Sequence, residues 1–290
     1  IRPAQGSTDL RDVGVVIALF LAAFFGFPVL MYLLLPVGLI DAFYAGVTRL
    51  ATLAQFAIFG VSAWVFVRAV RRFHGRGFFS MIGPYAVAWI DFRRVAVSVA
   101  ALLLVIQIVL PVASWGLPDI FRSLPVWVAL LPLAGLAILI QVTTEELVFR
   151  GYLQQQFACL SSSRWVWMVL PSVLFGSWHF WNGNSLPEGI VYVIWATLLG
   201  LDCADLTART GTLGAAIGLH LAVNFVAVMF VSTDGWPMAG LALMLYPYQD
   251  PDVLSAEIAD VAGLWMFYSL AVYGLTVFII WLAARVSLKR

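Results

Sequence analysis

Residues 143–157, TTEELVFRGYLQQQF, place two adjacent carboxylates and an arginine within an otherwise apolar chain. Charged side chains are costly in hydrocarbon, so an ionisable cluster inside a membrane segment is a functional-site hypothesis by default. The hypothesis makes two demands. The surrounding chain must cross a membrane, and other polar groups must reach the same place.

The composition is that of a membrane protein. Hydrophobic residues make up 63% of the 290, charged residues make up 11%, and the mean hydropathy is +0.98. These values predict an all-α, polytopic protein in contact with the lipid bilayer. The formal net charge of +1 gives no indication of nucleic-acid binding, and we predict none. The two cysteines, Cys159 and Cys203, lack CxxC spacing and are interpreted as free thiols.

Apolar runs of spanning length predict about eight transmembrane helices in a single membrane domain that covers residues 1–290. The runs are 13–40, 47–67, 94–114, 126–157, 166–181, 189–206, 211–232 and 262–284. No internal repeat suggests the inverted halves of a transporter.

The distribution of basic residues predicts the orientation. If eight spans leave both termini in the cytoplasm, only Arg49 and Arg122 among the basic residues near the spans fall outside. The positive-inside rule therefore favours cytoplasmic termini. The acidic stretch 233–261 lacks a basic residue and fits an external loop. The Arg-rich, Lys-poor composition is typical of a bacterial protein, so we predict the bacterial inner (plasma) membrane.

Two of the three histidines lie in predicted spans. His74 falls in the basic loop and is interpreted as a solvated residue, whereas His179 and His220 lie in membrane segments. Asn224 follows His220 by four residues, so both side chains project from one helix face. One membrane histidine is more often a packing residue than a catalyst, but two histidines, a carboxamide and paired carboxylates together favour a polar site.

Spacing also separates the two glutamates. Glu146 and Arg150 are four residues apart, in the favourable order for an ion pair along one helix face. Glu145 lies about 100° around the helix and is left out of that pair. A carboxylate without a partner in a low-dielectric site is a candidate general base.

The four candidate groups suit hydrolysis of an amide. Glu145, His179, His220 and Asn224 could together activate a water and stabilise an oxyanion. Glu145, His179 and His220 could instead bind zinc, because three nitrogen or oxygen ligands plus a water form a common catalytic arrangement. The residues alone leave both possibilities open.

Three motifs resemble one family. EELVFR (145–150), FGSWH (175–179) and HLAVN (220–224) are similar to the EExxxR, FxxxH and HxxxN motifs of the CPBP intramembrane protease family. That family includes type II CAAX prenyl endopeptidases and proteins linked to bacteriocin processing or self-immunity. The motifs occur in family order on separate predicted helices, and the similarity covers about 143–225.

The resemblance implies a role for each matched position. Glu145 would activate the hydrolytic water with the assistance of His179, and His220 and Asn224 would stabilise the oxyanion. The predicted catalytic core is about 126–232.

The resemblance also bears on support and on cofactors. It implies that Glu146 and Arg150 support the site, in agreement with their helical spacing. The family has been described both as metalloproteases and as metal-independent glutamate proteases. We predict no cofactor, because Asn224 suits an oxyanion donor better than a zinc ligand, and keep the zinc site as the alternative.

The sequence thus predicts an intramembrane endopeptidase that cleaves a membrane-associated peptide or protein. One alternative is a non-catalytic immunity or scaffold protein that binds a peptide in the same polar pocket. Another is a proton-coupled transporter or redox protein, with the histidines as a proton relay or haem ligands.

Overall fold

The computed structural model describes residues 4–106, 117–183, 185–236, 238–247 and 262–289. The α-helices within these ranges are α1 Leu10–Leu34, α2 Val37–Ala45, α3 Arg49–Ala57, α4 Phe59–His74, α5 Phe78–Ile82, α6 Tyr85–Leu104, α7 Leu124–Glu146, α8 Gln154–Leu160, α9 Leu170–Trp178, α10 Leu186–Thr210, α11 Gly214–Met229 and α12 Ala262–Leu288. π-Helical segments at Leu147–Leu153 and Trp165–Val169 link α7 to α8 and lead into α9.

The protein is an all-α, polytopic membrane protein. In the described ranges, five helical segments are long and apolar enough to cross a membrane. They are Leu10–Leu34, Arg49–His74, Leu124–Leu160, Leu186–Thr210 and Met266–Leu288. The count of eight spans and the orientation of the termini stay predictions. Residues 107–114, which complete the third predicted span, lie outside the described residues.

The predicted helix over 166–181 is wrong in its extent. The α-helix ends at Trp178, and a 3₁₀ turn follows at Phe180–Asn182. With the preceding π-helical segment the helical run begins at Trp165, so at 1.5 Å per residue it is only about 21 Å long. Because the helix ends at Trp178, His179 lies directly after its last turn, and the backbone of that turn sets the orientation of the His179 ring.

Helix α11 lies at the centre of the helix packing. It contacts α6, α7, α10 and α12. Gly214 and Gly218 allow its closest approach, because a Cβ atom at these positions would lie 1.9 Å from the Ala88 oxygen and 2.6 Å from the Phe92 oxygen of α6. Small residues spaced in this way let two membrane helices pack backbone to backbone.

A small sheet closes one end of the helices. Strands β1 Ile120–Phe121, β2 Val231–Thr233 and β3 Met244–Tyr246 are arranged in the order β1–β3–β2. β1 pairs antiparallel with β3, and β2 pairs parallel with it. The sheet includes the start of the stretch predicted as an acidic external loop; residues 248–261 of that stretch lie outside the described residues.

His74 is not solvated, so that prediction is wrong. It is only 8% exposed, at the end of α4. Its Nε2 lies 2.6 Å from the Tyr152 hydroxyl, and its Nδ1 lies 3.0 Å from the Ser7 carbonyl oxygen. The sequence pattern of a basic loop gave no sign of these partners, which come from the N-terminal segment and the π-helix after α7.

Candidate functional site

The charged cluster lies where α7 changes into a π-helix. Glu146 ends α7, and Arg150 lies within the π-helical segment Leu147–Leu153. Such segments are rare and occur frequently at functional sites. The ion pair predicted from spacing is present: Arg150 Nη1 lies 3.0 Å from Glu146 Oε1, and both side chains are fully buried.

Glu146 has a second partner that its spacing did not predict. His220 Nδ1 lies 2.8 Å from the same Oε1 atom. An ionised carboxylate only accepts hydrogen bonds, so Nδ1 is the donor. Glu146 therefore joins Arg150 of its own helical run to His220 of α11, and fixes the ring of that histidine.

Aromatic rings and a glycine enclose Arg150. Its guanidinium carbon lies 4.5 Å from the centre of the Phe175 ring and 5.8 Å from that of Phe149. A Cβ atom at Gly200 of α10 would lie 2.8 Å from Arg150 Nη2. Cation–π contact and the ion pair with Glu146 thus compensate the cost of burying the guanidinium. A residue larger than glycine at position 200 would leave no room for it.

Glu145 lies on the other side of His220. It is 6% exposed, and its Oε2 atom lies 3.6 Å from His220 Nε2. This distance exceeds that of a normal hydrogen bond. Within the described part of the chain, Oε2 has no hydrogen-bond partner. The carboxylate oxygen and the imidazole nitrogen therefore face one another without a hydrogen bond between them.

His179 is oriented by the end of α9. Its Nδ1 lies 2.9 Å from the Phe175 carbonyl oxygen, so this nitrogen is the donor and Nε2 is left available. The last carbonyls of a helix lack intrahelical partners, and the ring of His179 satisfies one of them. Glu145 and His220 lie close enough to His179 to act on it electrostatically.

Phe175 connects the histidines. Its ring centre lies 4.6 Å from that of His179 and 5.6 Å from that of His220. The side chain is 1% exposed. Sequence reasoning quoted this residue as the first of FGSWH but gave it no role. The FxxxH spacing was the available signal, because it puts the Phe175 carbonyl one turn before His179.

Gly176 sets the position of this helix end against α10. A Cβ atom there would lie 2.0 Å from Thr197 Oγ1 and 2.6 Å from the Val193 oxygen. The close contact between α9 and α10 therefore depends on the missing side chain, and with it the placement of His179.

Asn224 is joined to a residue that sequence reasoning missed. Its Nδ2 donates to Gln141 Oε1 at 3.0 Å. Gln141 lies one turn before Glu145 on α7, and Asn224 lies one turn after His220 on α11. The two helices therefore run antiparallel and are joined by two polar pairs, Gln141–Asn224 and Glu145–His220, which we call polar rungs. The signal for Gln141 was a polar residue four positions before Glu145 in an apolar run.

The zinc alternative requires Glu145, His179 and His220 as ligands. Among the described residues, no group of three His, Cys, Asp or Glu side chains is arranged to hold a metal ion. Both histidines use Nδ1 for protein hydrogen bonds and keep Nε2, and Glu145 Oε2 lies 3.6 Å from His220 Nε2. Cys203, buried near Glu146, and Cys159 are not joined in a disulfide, as predicted.

Comparison with known proteins adds an independent observation. Residues 126–226 match the family model described as type II CAAX prenyl endopeptidase, Rce1-like. The chain is also 29% identical over 196 residues to the uncharacterised protein YyaK of Bacillus subtilis. This alignment covers 64% of this chain and 61% of YyaK. No solved structure matches.

The matched segment contains α8, α9, α10 and most of α7 and α11, and with them every polar residue of the candidate site. EELVFR, FGSWH and HLAVN all fall within it. The match supports the family assignment predicted from these motifs: residues 126–226 of this chain are similar to the family described as type II CAAX prenyl endopeptidase, Rce1-like.

Proposed function

We propose that this protein is an intramembrane endopeptidase that hydrolyses a peptide bond of a membrane-associated protein or peptide. The observation that carries the proposal is the pair of Glu145 Oε2 and His220 Nε2, buried, 3.6 Å apart and not committed to each other. Buried polar atoms are costly unless they have partners, and they recur where a reaction supplies those partners. The family match of this segment supports proteolysis as the reaction.

In the first step Glu145 removes a proton from a water, whose oxygen attacks the carbonyl carbon of the substrate. His179 assists, because its Nδ1 is held by the Phe175 carbonyl and its Nε2 can accept a hydrogen bond from the same water. The C–O bond forms as the carbonyl π electrons move to oxygen, giving a tetrahedral intermediate with a negative oxygen.

In the second step that oxygen is stabilised and the peptide bond breaks. His220 can donate from Nε2 when both ring nitrogens carry protons, and the Glu146 carboxylate on Nδ1 stabilises the resulting positive charge. Asn224 supplies a neutral N–H donor. Glu145 then returns its proton to the leaving nitrogen as the C–N bond breaks, so the enzyme regains its starting state.

An apolar groove supports a substrate presented from the membrane. Its volume is about 530 Å³, and it lies between α4 and α7 with Phe78 of α5 at its edge. Its lining includes Thr143, Thr144 and Leu147, the sequence neighbours of the two glutamates. A chain segment in this groove would lie in the apolar region beside α7, the helix that carries Glu145.

The test is cleavage by the purified protein in liposomes. The probes are a fluorescently quenched, farnesylated CAAX peptide, its unprenylated form, and a bacterial membrane-protein fraction whose new N-termini are sequenced. Glu145→Ala and His179→Ala should each lower turnover at least about 100-fold, because each removes a group that acts in the transition state. Glu188→Gln, a carboxylate at the start of α10, is the matched control and should keep turnover.

Two outcomes would count against the proposal. Full activity in both alanine variants would remove the assigned roles. Absence of cleavage of every probe, together with a biological effect retained by Glu145→Gln, would favour the non-catalytic peptide-binding alternative. Exhaustive chelation followed by metal analysis tests the cofactor prediction; stoichiometric zinc, with activity restored by its re-addition, would replace it.

The cellular setting belongs to the same proposal. The Arg-rich, Lys-poor composition supports a bacterial inner (plasma) membrane, and the distribution of basic residues supports cytoplasmic termini. The catalytic core is proposed to be about 126–232, which includes the whole segment matched by the family model. The orientation can be tested with a cysteine introduced near either terminus, by measuring whether a membrane-impermeant thiol reagent labels it from outside.

A further inference from the structure

The second polar rung between α7 and α11 pairs Asn224 with Gln141, and Gln141 has no role in the reaction described so far. Gln141 is 5% exposed and accepts a hydrogen bond from Asn224 Nδ2 at 3.0 Å. The other rung is formed by Glu145 and His220. Burying a carboxamide without a partner is costly, so the pair Gln141–Asn224 is a specific contact between two otherwise apolar helix faces.

The hydrogen bond to Gln141 bears on the orientation of the Asn224 carboxamide. A carboxamide has an oxygen on one side and an amino group on the other, and a rotation of about 180° exchanges them with little change in shape. Only the amino group can stabilise an oxyanion, since the oxygen would repel it. In the structure Oε1 of Gln141 faces Asn224 and accepts one of its N–H groups, and this arrangement leaves the second N–H for the oxyanion.

We propose that Gln141 is a positioning residue that fixes the orientation of the Asn224 carboxamide, so that an N–H of Asn224 is directed at the oxyanion. The inference rests on the proposed function for its catalytic consequence. The contact itself can be tested without any substrate. Gln141 does not touch the reacting atoms and acts through Asn224.

The first measurement detects the contact by NMR. The chain contains three asparagines, Asn182, Asn184 and Asn224, so asparagine-selective ¹⁵N labelling gives few side-chain amide signals. Asn224→Ala assigns the Asn224 pair by its loss. Gln141→Met keeps the length of the side chain and removes the acceptor. It should shift the Asn224 amide protons upfield and bring the two signals closer together.

The matched control is Gln154→Met. Gln154 is also 5% exposed, but its Nε2 donates to the Ala204 carbonyl oxygen at 3.0 Å. This variant loses a buried glutamine of the same exposure and should leave the Asn224 signals unchanged. If Gln141→Met fails to fold, Gln141→Leu provides a second variant without an acceptor.

The second measurement is kinetic and uses the probe that wild-type protein cleaves. Gln141→Met should lower kcat about tenfold, the effect of one ordinary hydrogen bond, and leave KM within about twofold. In an Asn224→Ala background the same change should have no further effect on kcat, because the group that it positions is gone. A residue needed only for folding would not show this dependence on Asn224.

The outcomes separate the inference from the proposed function. Unmoved Asn224 signals in folded Gln141→Met overturn the inference whatever the activity. Shifted signals with unchanged kcat, while Asn224→Ala lowers kcat, also overturn it, because orientation would then not be needed. Full activity of Asn224→Ala overturns instead the oxyanion role that the proposed function gives to Asn224.

Discussion

His74 and His220 are both buried, and both are bound by side chains of the segment 143–157, yet their ring nitrogens are used differently. Both nitrogens of His74 are engaged, by the Tyr152 hydroxyl at 2.6 Å and the Ser7 carbonyl at 3.0 Å. Among the described residues, His220 is hydrogen-bonded at Nδ1, by Glu146 at 2.8 Å, and its Nε2 faces Glu145 across 3.6 Å.

The difference separates a structural histidine from a reactive one. A ring with two protein partners links chain segments and has no nitrogen left for a substrate. A ring held at one nitrogen, beside a carboxylate, keeps the other for proton transfer or for an oxyanion. The two sites share burial and residue type, so neither property distinguishes them. They differ in how many ring nitrogens are hydrogen-bonded to the protein.

The largest effect on stability is expected at Glu146. Glu146→Gln removes the charge that compensates buried Arg150 and should destabilise the protein by about 3–5 kcal/mol. The chemically identical change at the neighbouring position, Glu145→Gln, removes a carboxylate whose Oε2 has no hydrogen-bond partner among the described residues. It should leave stability unchanged or raise it while activity is lost.

Thermal unfolding in detergent measures the first difference, and cleavage assays below the unfolding transition measure the second. Glu188→Gln again serves as the control for charge loss elsewhere. Equal destabilisation by both substitutions would contradict the division between a structural and a reactive glutamate. So would retained activity in Glu145→Gln.

Much of this division could be predicted from the sequence, because it follows from spacing within a helix. The i, i+4 separation of Glu146 and Arg150 predicted their ion pair, and the same reasoning left Glu145 outside it. Three motifs identified the family segment. Composition alone predicted the membrane-spanning, all-α class.

Contacts between helices could not be predicted in this way. Gln141 and Phe175 were missed because their importance depends on which residue of another helix faces them. His74 was interpreted as solvated because its partners lie far away in the chain, at Ser7 and Tyr152. The helix end at Trp178 was missed because hydropathy continues past it while the backbone changes.

A smaller effect is expected where α9 packs against α10. Gly176→Ala introduces a methyl group 2.0 Å from Thr197 Oγ1, so the helices must separate. We expect destabilisation of about 1–3 kcal/mol, together with lower activity because His179 lies at the end of α9. Gly14→Ala on α1, where a Cβ atom meets nothing within 4 Å, is the control. Equal activity of the two variants would show that His179 does not depend on this contact.

The smallest effect is expected at His74. His74→Phe keeps an aromatic ring but leaves the Tyr152 hydroxyl without its partner, which should cost about 1–2 kcal/mol. Turnover at temperatures below unfolding should be retained, because both nitrogens of His74 serve structural contacts. Tyr152→Phe removes the other side of the same hydrogen bond, so the double variant should cost less than the sum of the single ones. Loss of turnover in folded His74→Phe, comparable with that of His220→Phe, would contradict the distinction, since a histidine with both nitrogens engaged would then be as necessary for the reaction as one with a free nitrogen.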